Sequence, residues 1–140
     1  MKVSLSWLRE YVPVDMTVSE MCARLTMAGL ETDSVTDRYA WLNTVTVGRI
    51  SSLRPHPNAD KLRLCEVELG DRSVRAVCGA PNVRKGMLAP LALPGTEFPN
   101  GRILEKSIIR GESSEGMLCS EAELELGTDS SGLMELPQDL

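Results

Sequence analysis

The chain is poor in histidine and aromatics, with one histidine, one phenylalanine, two tryptophans and two tyrosines. Ser-His-Asp or Cys-His catalysis would therefore rest on the single imidazole of His56, which Pro55 and Pro57 hold in an extended or turn segment. No C-x-x-C pair links Cys22, Cys65, Cys78 and Cys119. Three of them stand among apolar residues (LRLCEV, RAVCGA, GMLCSE), which reads as small buried hydrophobes rather than zinc ligands or a disulfide frame. A phosphate-cradling glycine loop of the Walker or dinucleotide type is missing, and so is a metal-ligand cluster. No apolar run approaches the roughly 18 residues that suggest a membrane span. The start, MKVSLSWLREYV, carries charge too early for a secretory leader. These absences predict a soluble, cytoplasmic, non-catalytic chain.

What is present is ordinary globular usage, 42% hydrophobic and 25% charged over 140 residues, enough for one domain with an appendage. The net charge of −5 hides an uneven distribution. Residues 1–48 carry four basic and six acidic groups, residues 49–110 eleven and six, and residues 111–140 none and eight. A basic middle beside an acidic tail is the footprint of a nucleic-acid surface with its own shielding; a plain solvated face gives the same pattern.

Local signals divide the chain. MTVSEMCARLTMAGLE predicts a helix with Thr17 as N-cap, Glu20 completing a capping box and Gly29 at the C-terminal stop. A shorter helix is predicted before it, capped by Ser4 and ending before Pro13, and two such helices need a partner to bury their apolar faces. From Asn43 the runs TVTVGRI, LRLCEVELG, SVRAVCG, MLAPLAL and GRILEKSIIRG are short, β-branched and separated by Gly, Pro, Asn and Asp. Leu62 and Leu64 share one parity and Val67 and Leu69 the other, a slip that a bulged or strongly bent strand produces. Five strands in about 65 residues predict a mainly β, small, partly open barrel. A further short helix is expected over residues 120–126, ended by Gly127, and the carboxylates Glu121, Glu123 and Glu125 read as a solvated acidic stretch.

Three stretches draw attention as candidate contacts. In HPNADKLRLC, Pro57-Asn58-Ala59-Asp60 has turn chemistry and Lys61 leads into a strand, gathering Arg54, His56, Lys61 and Arg63 at one strand entrance. In CGAPNVRKG, small and turn residues let the backbone come close while Arg84 and Lys85 supply charge, which suffices to neutralise phosphate. SIIRGESSEGMLCSE adds Arg110 beside Gly111, with Ser113 and Ser114 as hydroxyl donors in an expected loop. Among Phe, Trp and Tyr, residues 43–140 contain only Phe98, so base stacking is scarce and a backbone-and-shape reader is favoured over a sequence reader.

Taken together, HPNADKLRLCEVELG, AVCGAPNVRKG and IRGESSEGMLCSEAELELG resemble the tRNA-binding domain shared by endothelial monocyte-activating polypeptide II-like modules and several synthetases. With MKVSLSWLREYV and MAGLETDSV ahead of them, the whole chain resembles the N-terminal part of bacterial phenylalanyl-tRNA synthetase β subunits. The resemblance implies an OB-fold barrel over residues 41–140, and residues 1–40 as half of a split α/β subdomain completed by chain that follows the barrel. It implies tRNA as partner and an α subunit within a heterotetramer. ATP and magnesium belong to the parent enzyme, with no cofactor, metal or catalytic residue in this piece. Carried over position by position, Lys61, Asn82, Arg84, Lys85 and Arg110 become the expected tRNA contacts. Asn58 and Asp60 would hold a turn, Gly79, Gly86, Gly111 and Gly116 would permit backbone shapes, and Met117 and Cys119 would pack the barrel. The alternative reading is a docking platform for subunits or domains. A tRNA grip requires Lys61, Arg84, Lys85 and Arg110 on one face free of acids, whereas a docking platform expects them mixed with Glu and Asp.

Overall fold

A computed structural model describes residues 1–139, and these fall into two compact units, Met1–Asp37 and a second that begins at Arg38. In the first unit, α1 (Leu5–Leu8) starts at Ser4, whose Oγ accepts from the Trp7 N–H at 3.4 Å, and α2 (Val18–Met27) starts at Thr17. The capping box is complete. Thr17 Oγ1 accepts from the Glu20 N–H at 3.3 Å, and Glu20 Oε2 accepts from the Thr17 N–H at 2.9 Å. These bonds, from the Thr17 backbone first and its hydroxyl second, hold the Glu20 carboxyl below the usual carboxylate range. Gly29, at φ 91°, turns the chain out of the helix, and the Leu30 N–H returns to the Leu25 carbonyl at 2.8 Å. No residue of this unit is buried, and Met27 and Leu30 remain 89% and 65% exposed.

The second unit opens with a short 3-10 helix, Ala40–Thr44, and continues as β1 (Val45–His56), β2 (Ala59–Glu68), β3 (Ser73–Cys78), β4 (Leu88–Ala92), β5 (Ser107–Ile109), β6 (Glu112–Ser114) and β7 (Met117–Leu118). Five strands pair antiparallel in the order β3-β2-β1-β4-β7, and β5 and β6 form a hairpin of their own. The result is the mainly β, five-stranded OB-like barrel expected from the sequence. β1 is longer than TVTVGRI suggests because it runs through Pro55 to His56. It bends at a bulge where Ile50 pairs with Val67 but Ser52 pairs with Glu66, leaving Ser51 as the extra residue. The predicted parity slip in β2 appears as the adjacent buried pair Leu64 and Cys65.

All five residues of β4 are buried, including Pro90. Its carbonyl accepts from the Cys119 N–H at 3.0 Å, on the β7 side. Since a strand residue's N–H and C=O point the same way, the donor that proline lacks falls where the β4–β7 ladder is only two residues long. The core runs from Ile50, Cys65, Val67, Ala76, Met87, Ala89 and Leu91 to a second cluster of Phe98, Leu104, Cys119 and Leu124. Burial first, and the Glu123 charge second, push the Cys119 thiol up to about 12.

Three expectations are corrected. The fifth strand of the sheet comes from Met117–Leu118, while GRILEKSIIRG contributes only β5 and an isolated bridge at Ile103. Residues 120–126 form a single turn rather than a helix: Ser120 and Glu123 make reciprocal capping bonds, but Glu125 takes a left-handed φ of 48°. Ser113 and Ser114 lie in β6 rather than a loop, and Ser114 Oγ accepts from the Val77 N–H at 3.1 Å and donates to the Gly116 carbonyl at 2.9 Å. With the Glu115 N–H donating to the Arg75 carbonyl at 2.7 Å, this segment spans the gap between the edge strands β3 and β7.

Candidate nucleic-acid interface

The β1–β2 and β5–β6 hairpins meet at their tips. His56, 4% exposed, is the joint. The Asn58 N–H donates to its Nδ1 at 3.0 Å, so Nδ1 is the bare acceptor and Nε2 carries the hydrogen that it donates to the Ile109 carbonyl at 3.0 Å. Both ring nitrogens are committed to backbone, which fits a structural turn and leaves no nitrogen for catalysis. Asn58 adds a second tie, its Nδ2 donating to the Arg110 carbonyl at 3.0 Å, and the Arg110 guanidinium reaches back to the Asn58 carbonyl at 3.5 Å.

Arg110 and Gly111 form the two-residue turn between Ile109 and Glu112, at φ 50° and 96°. Consecutive left-handed residues match the right-handed twist of a hairpin, but a side chain at the first position costs on the order of 1 kcal/mol, and Asn, Asp or Gly normally stands there. An exposed arginine at that corner is held by its surroundings. On the other tip, His56 pairs with Ala59 while Pro55 pairs with Arg63, so Asp60, Lys61 and Leu62 bulge outward. Arg63 braces the bulge by donating to the Asp60 and Leu62 carbonyls at 3.2 and 3.3 Å, and Lys61 is exposed on it.

Asn82, Arg84 and Lys85 lie elsewhere, in the β3–β4 loop. Asn82 uses both ends of its amide on Leu133: Nδ2 donates to the Leu133 carbonyl at 2.9 Å and Oδ1 accepts from its N–H at 2.8 Å. It is the clasp between this loop and the acidic C-terminal segment. Arg84 is paired with Glu135, and Lys85 is exposed. Arg49 donates to Gln138 at 2.9 Å beside the same loop. The loop is anchored where the Gly86 N–H donates to the Ile50 carbonyl at 2.7 Å. His56 lies six residues further along β1, which at about 3.3 Å per residue separates the two groups by up to about 20 Å.

The five expected contacts therefore split into Lys61 and Arg110 at the joined tips and Asn82, Arg84 and Lys85 at the loop. They form two groups rather than one, and Arg84 is paired with Glu135, so the four cations do not make the single acid-free cluster set out for a tRNA grip. Elsewhere in the barrel Arg75 pairs with Glu112 at 3.8 Å, and Lys106 with Glu115. The Lys106 hydrogen bond, then its charge, holds the Glu115 carboxyl below the usual range. The sequence reading missed the bonds from His56 and Asn58 to the second hairpin and the cover that residues 133–138 lay over the basic loop. GLMELP carried a signal for the latter, because its Leu133 is buried. Among the described residues no helix is long and apolar enough to cross a membrane.

A small OB-like barrel presenting exposed cations on joined hairpin tips belongs to the class of nucleic-acid-binding barrels. A family model described as "Putative tRNA binding domain" matches residues 45–140, and the chain belongs to that family. It is 54% identical over 140 residues to the phenylalanine–tRNA ligase beta subunit of Syntrophus aciditrophicus, and 48% identical over 139 residues to that of Pseudomonas fluorescens strain Pf-5. It covers 100% and 99% of its own length in these matches but spans only 17% and 18% of the relatives. Among solved structures, the MetRS related protein from Pyrococcus horikoshii matches at a TM-score of 0.54 and 16% identity, covering 76% of this chain and 93% of that one, a likeness of fold.

Proposed function

We propose that the barrel is a non-catalytic tRNA-gripping module that contacts backbone phosphates through charge and shape, acting in the cytoplasm as a piece of a phenylalanine–tRNA ligase β subunit. Its partners are tRNA and, through the rest of that subunit, an α subunit. ATP and magnesium serve the parent enzyme away from this piece. Residues 1–40 are half of a split subdomain whose apolar side chains are covered by chain beyond the barrel; their lack of any buried residue supports this.

The observation that carries the reading is the pair of exposed cations, Lys61 and Arg110, on two hairpin tips bonded to each other within the family-matched segment. Asn82 acts as a clasp and Arg84 as a surface ion pair, so the tips carry more of the grip than the loop. The test is a titration of labelled tRNA with the 140-residue chain, with a Lys61→Ala/Arg110→Ala variant and with an Arg84→Ala/Lys85→Ala variant. A charge-assisted contact contributes about 1.5 kcal/mol, roughly tenfold in affinity, so the tip variant loses well over tenfold and the loop variant less. Equal affinity of all three proteins, or no binding by any, would turn the reading toward docking of subunits.

A further inference from the structure

The arginine at the hairpin corner raises a question that charge alone does not answer. A two-residue turn with both residues left-handed is made at least strain by Asn-Gly or Gly-Gly, yet Arg110-Gly111 stands here at φ 50° and 96°. A lysine or arginine one position away in either strand would supply the same charge without left-handed backbone. The position must therefore be set by where the side chain points, and the neighbours show how that direction is fixed.

Two carbonyls flank the Arg110 Cα, that of Ile109 and that of Arg110 itself, and each accepts a side-chain hydrogen bond from the other hairpin. His56 Nε2 donates to the first at 3.0 Å and Asn58 Nδ2 to the second at 3.0 Å. Fixing the peptide planes on both sides of one Cα fixes its φ and ψ, and with them the direction of the Cα–Cβ bond. The two donors are themselves tied, since the Asn58 N–H donates to His56 Nδ1 at 3.0 Å. Among the described residues the guanidinium meets the Asn58 carbonyl, at 3.5 Å, and Arg110 is exposed, which leaves most of its five N–H donors for a ligand.

We propose that His56 and Asn58 are positioning residues for Arg110: by bonding the carbonyls on either side of it, they hold a left-handed turn that presents its guanidinium to an RNA phosphate. This rests on the tRNA-gripping reading above. It gives His56 of HPNADKLRLC an indirect part in RNA binding, with no contact to RNA.

Asn58 is the better residue to substitute, because it is exposed and its φ is not positive, so alanine fits its backbone. His56→Gln serves as a second variant that keeps an amide donor for the Ile109 carbonyl. The first readout needs no RNA: limited trypsin digestion, comparing cleavage after Arg110 with cleavage after Arg72, which lies on an exposed turn. Release of the turn in Asn58→Ala raises the Arg110 cut several-fold relative to the Arg72 cut, while His56→Gln stays close to the unsubstituted chain.

The second readout is tRNA affinity in a double-mutant cycle of Asn58→Ala with Arg110→Ala. Asn58→Ala alone weakens binding by most of the factor lost in Arg110→Ala, and adding it to Arg110→Ala costs no more than about twofold further. Between 50 and 200 mM salt, either single variant shows an affinity drop about threefold smaller than the unsubstituted chain, the signature of one lost phosphate contact. Effects that multiply, an unchanged salt dependence, or an unchanged trypsin ratio would overturn the positioning role while leaving the tRNA reading intact. Absence of tRNA binding by the unsubstituted chain would overturn both, and the trypsin ratio would still report whether the turn is held.

Discussion

At the scale of single residues, Asn82 and Gly48 give the sharpest expectations. The resemblance makes Asn82 a tRNA contact, but both ends of its amide bond the Leu133 backbone, one N–H and one oxygen lone pair being used. Asn82→Ala removes two hydrogen bonds and leaves a backbone donor and acceptor short of partners, which lowers stability by about 2 kcal/mol. A urea titration checks this, and the salt dependence of tRNA binding stays as it was. A variant of native stability that lost RNA affinity would return Asn82 to the contact surface. Gly48 is required by close approach rather than by backbone freedom. A Cβ there would stand 2.3 Å from Val67 Cγ1 and 3.1 Å from Leu69 Cδ2. Gly48→Ala therefore overpacks the β1–β2 contact and lowers the unfolding free energy by about 1 to 3 kcal/mol, read as a lower urea midpoint with little change in slope.

At the scale of elements, what was legible in the sequence was what local chemistry decides. Thr17, Glu20 and Gly29 mark both ends of α2, and the structure has the capping box and the left-handed stop at those residues. Glu20 titrates below an ordinary carboxylate, so the box contributes above the unfolded-state value and is lost as pH falls through the lowered native one. Far-UV circular dichroism of the chain should lose helical signal in that acid range, and Thr17→Ala, which removes a cap contributing about 1 kcal/mol, should lower the signal at neutral pH as well. A helical signal insensitive to both changes would contradict this account of the helix start. The segment from Ser120 shows the limit of such signals. Its cap forms, but a cap says where a helix can begin, and one turn already buries Leu124. The fifth strand failed for a related reason. Ile103 and Ile108 look like strand residues but remain 58% and 78% exposed, while the two residues Met117 and Leu118, too few for any periodicity, complete the sheet. The tip-to-tip bonds join residues more than fifty positions apart, and nothing local announces them.

At the scale of the whole molecule, charge decides what the barrel can hold. A net charge of −5 disfavours RNA in general, so binding depends on where the eleven cations of residues 49–110 escape the eight acids that follow. The structure pairs Arg84, Arg75 and Lys106 with Glu135, Glu112 and Glu115, which offsets three of those acids, among them Glu112 at the foot of the Arg110 turn. Lys61 and Arg110 are left exposed beyond that pairing. The most direct measurement is the salt dependence of tRNA affinity for the unsubstituted chain and for Lys61→Ala/Arg110→Ala. Each neutralised phosphate contributes about −0.9 to the log–log slope on duplex nucleic acid and about −0.7 on single strands. The account predicts measurable binding whose slope becomes shallower by roughly 1.4 to 1.8 in the tip variant. An unchanged slope, or a chain that binds no tRNA at low salt, would contradict it.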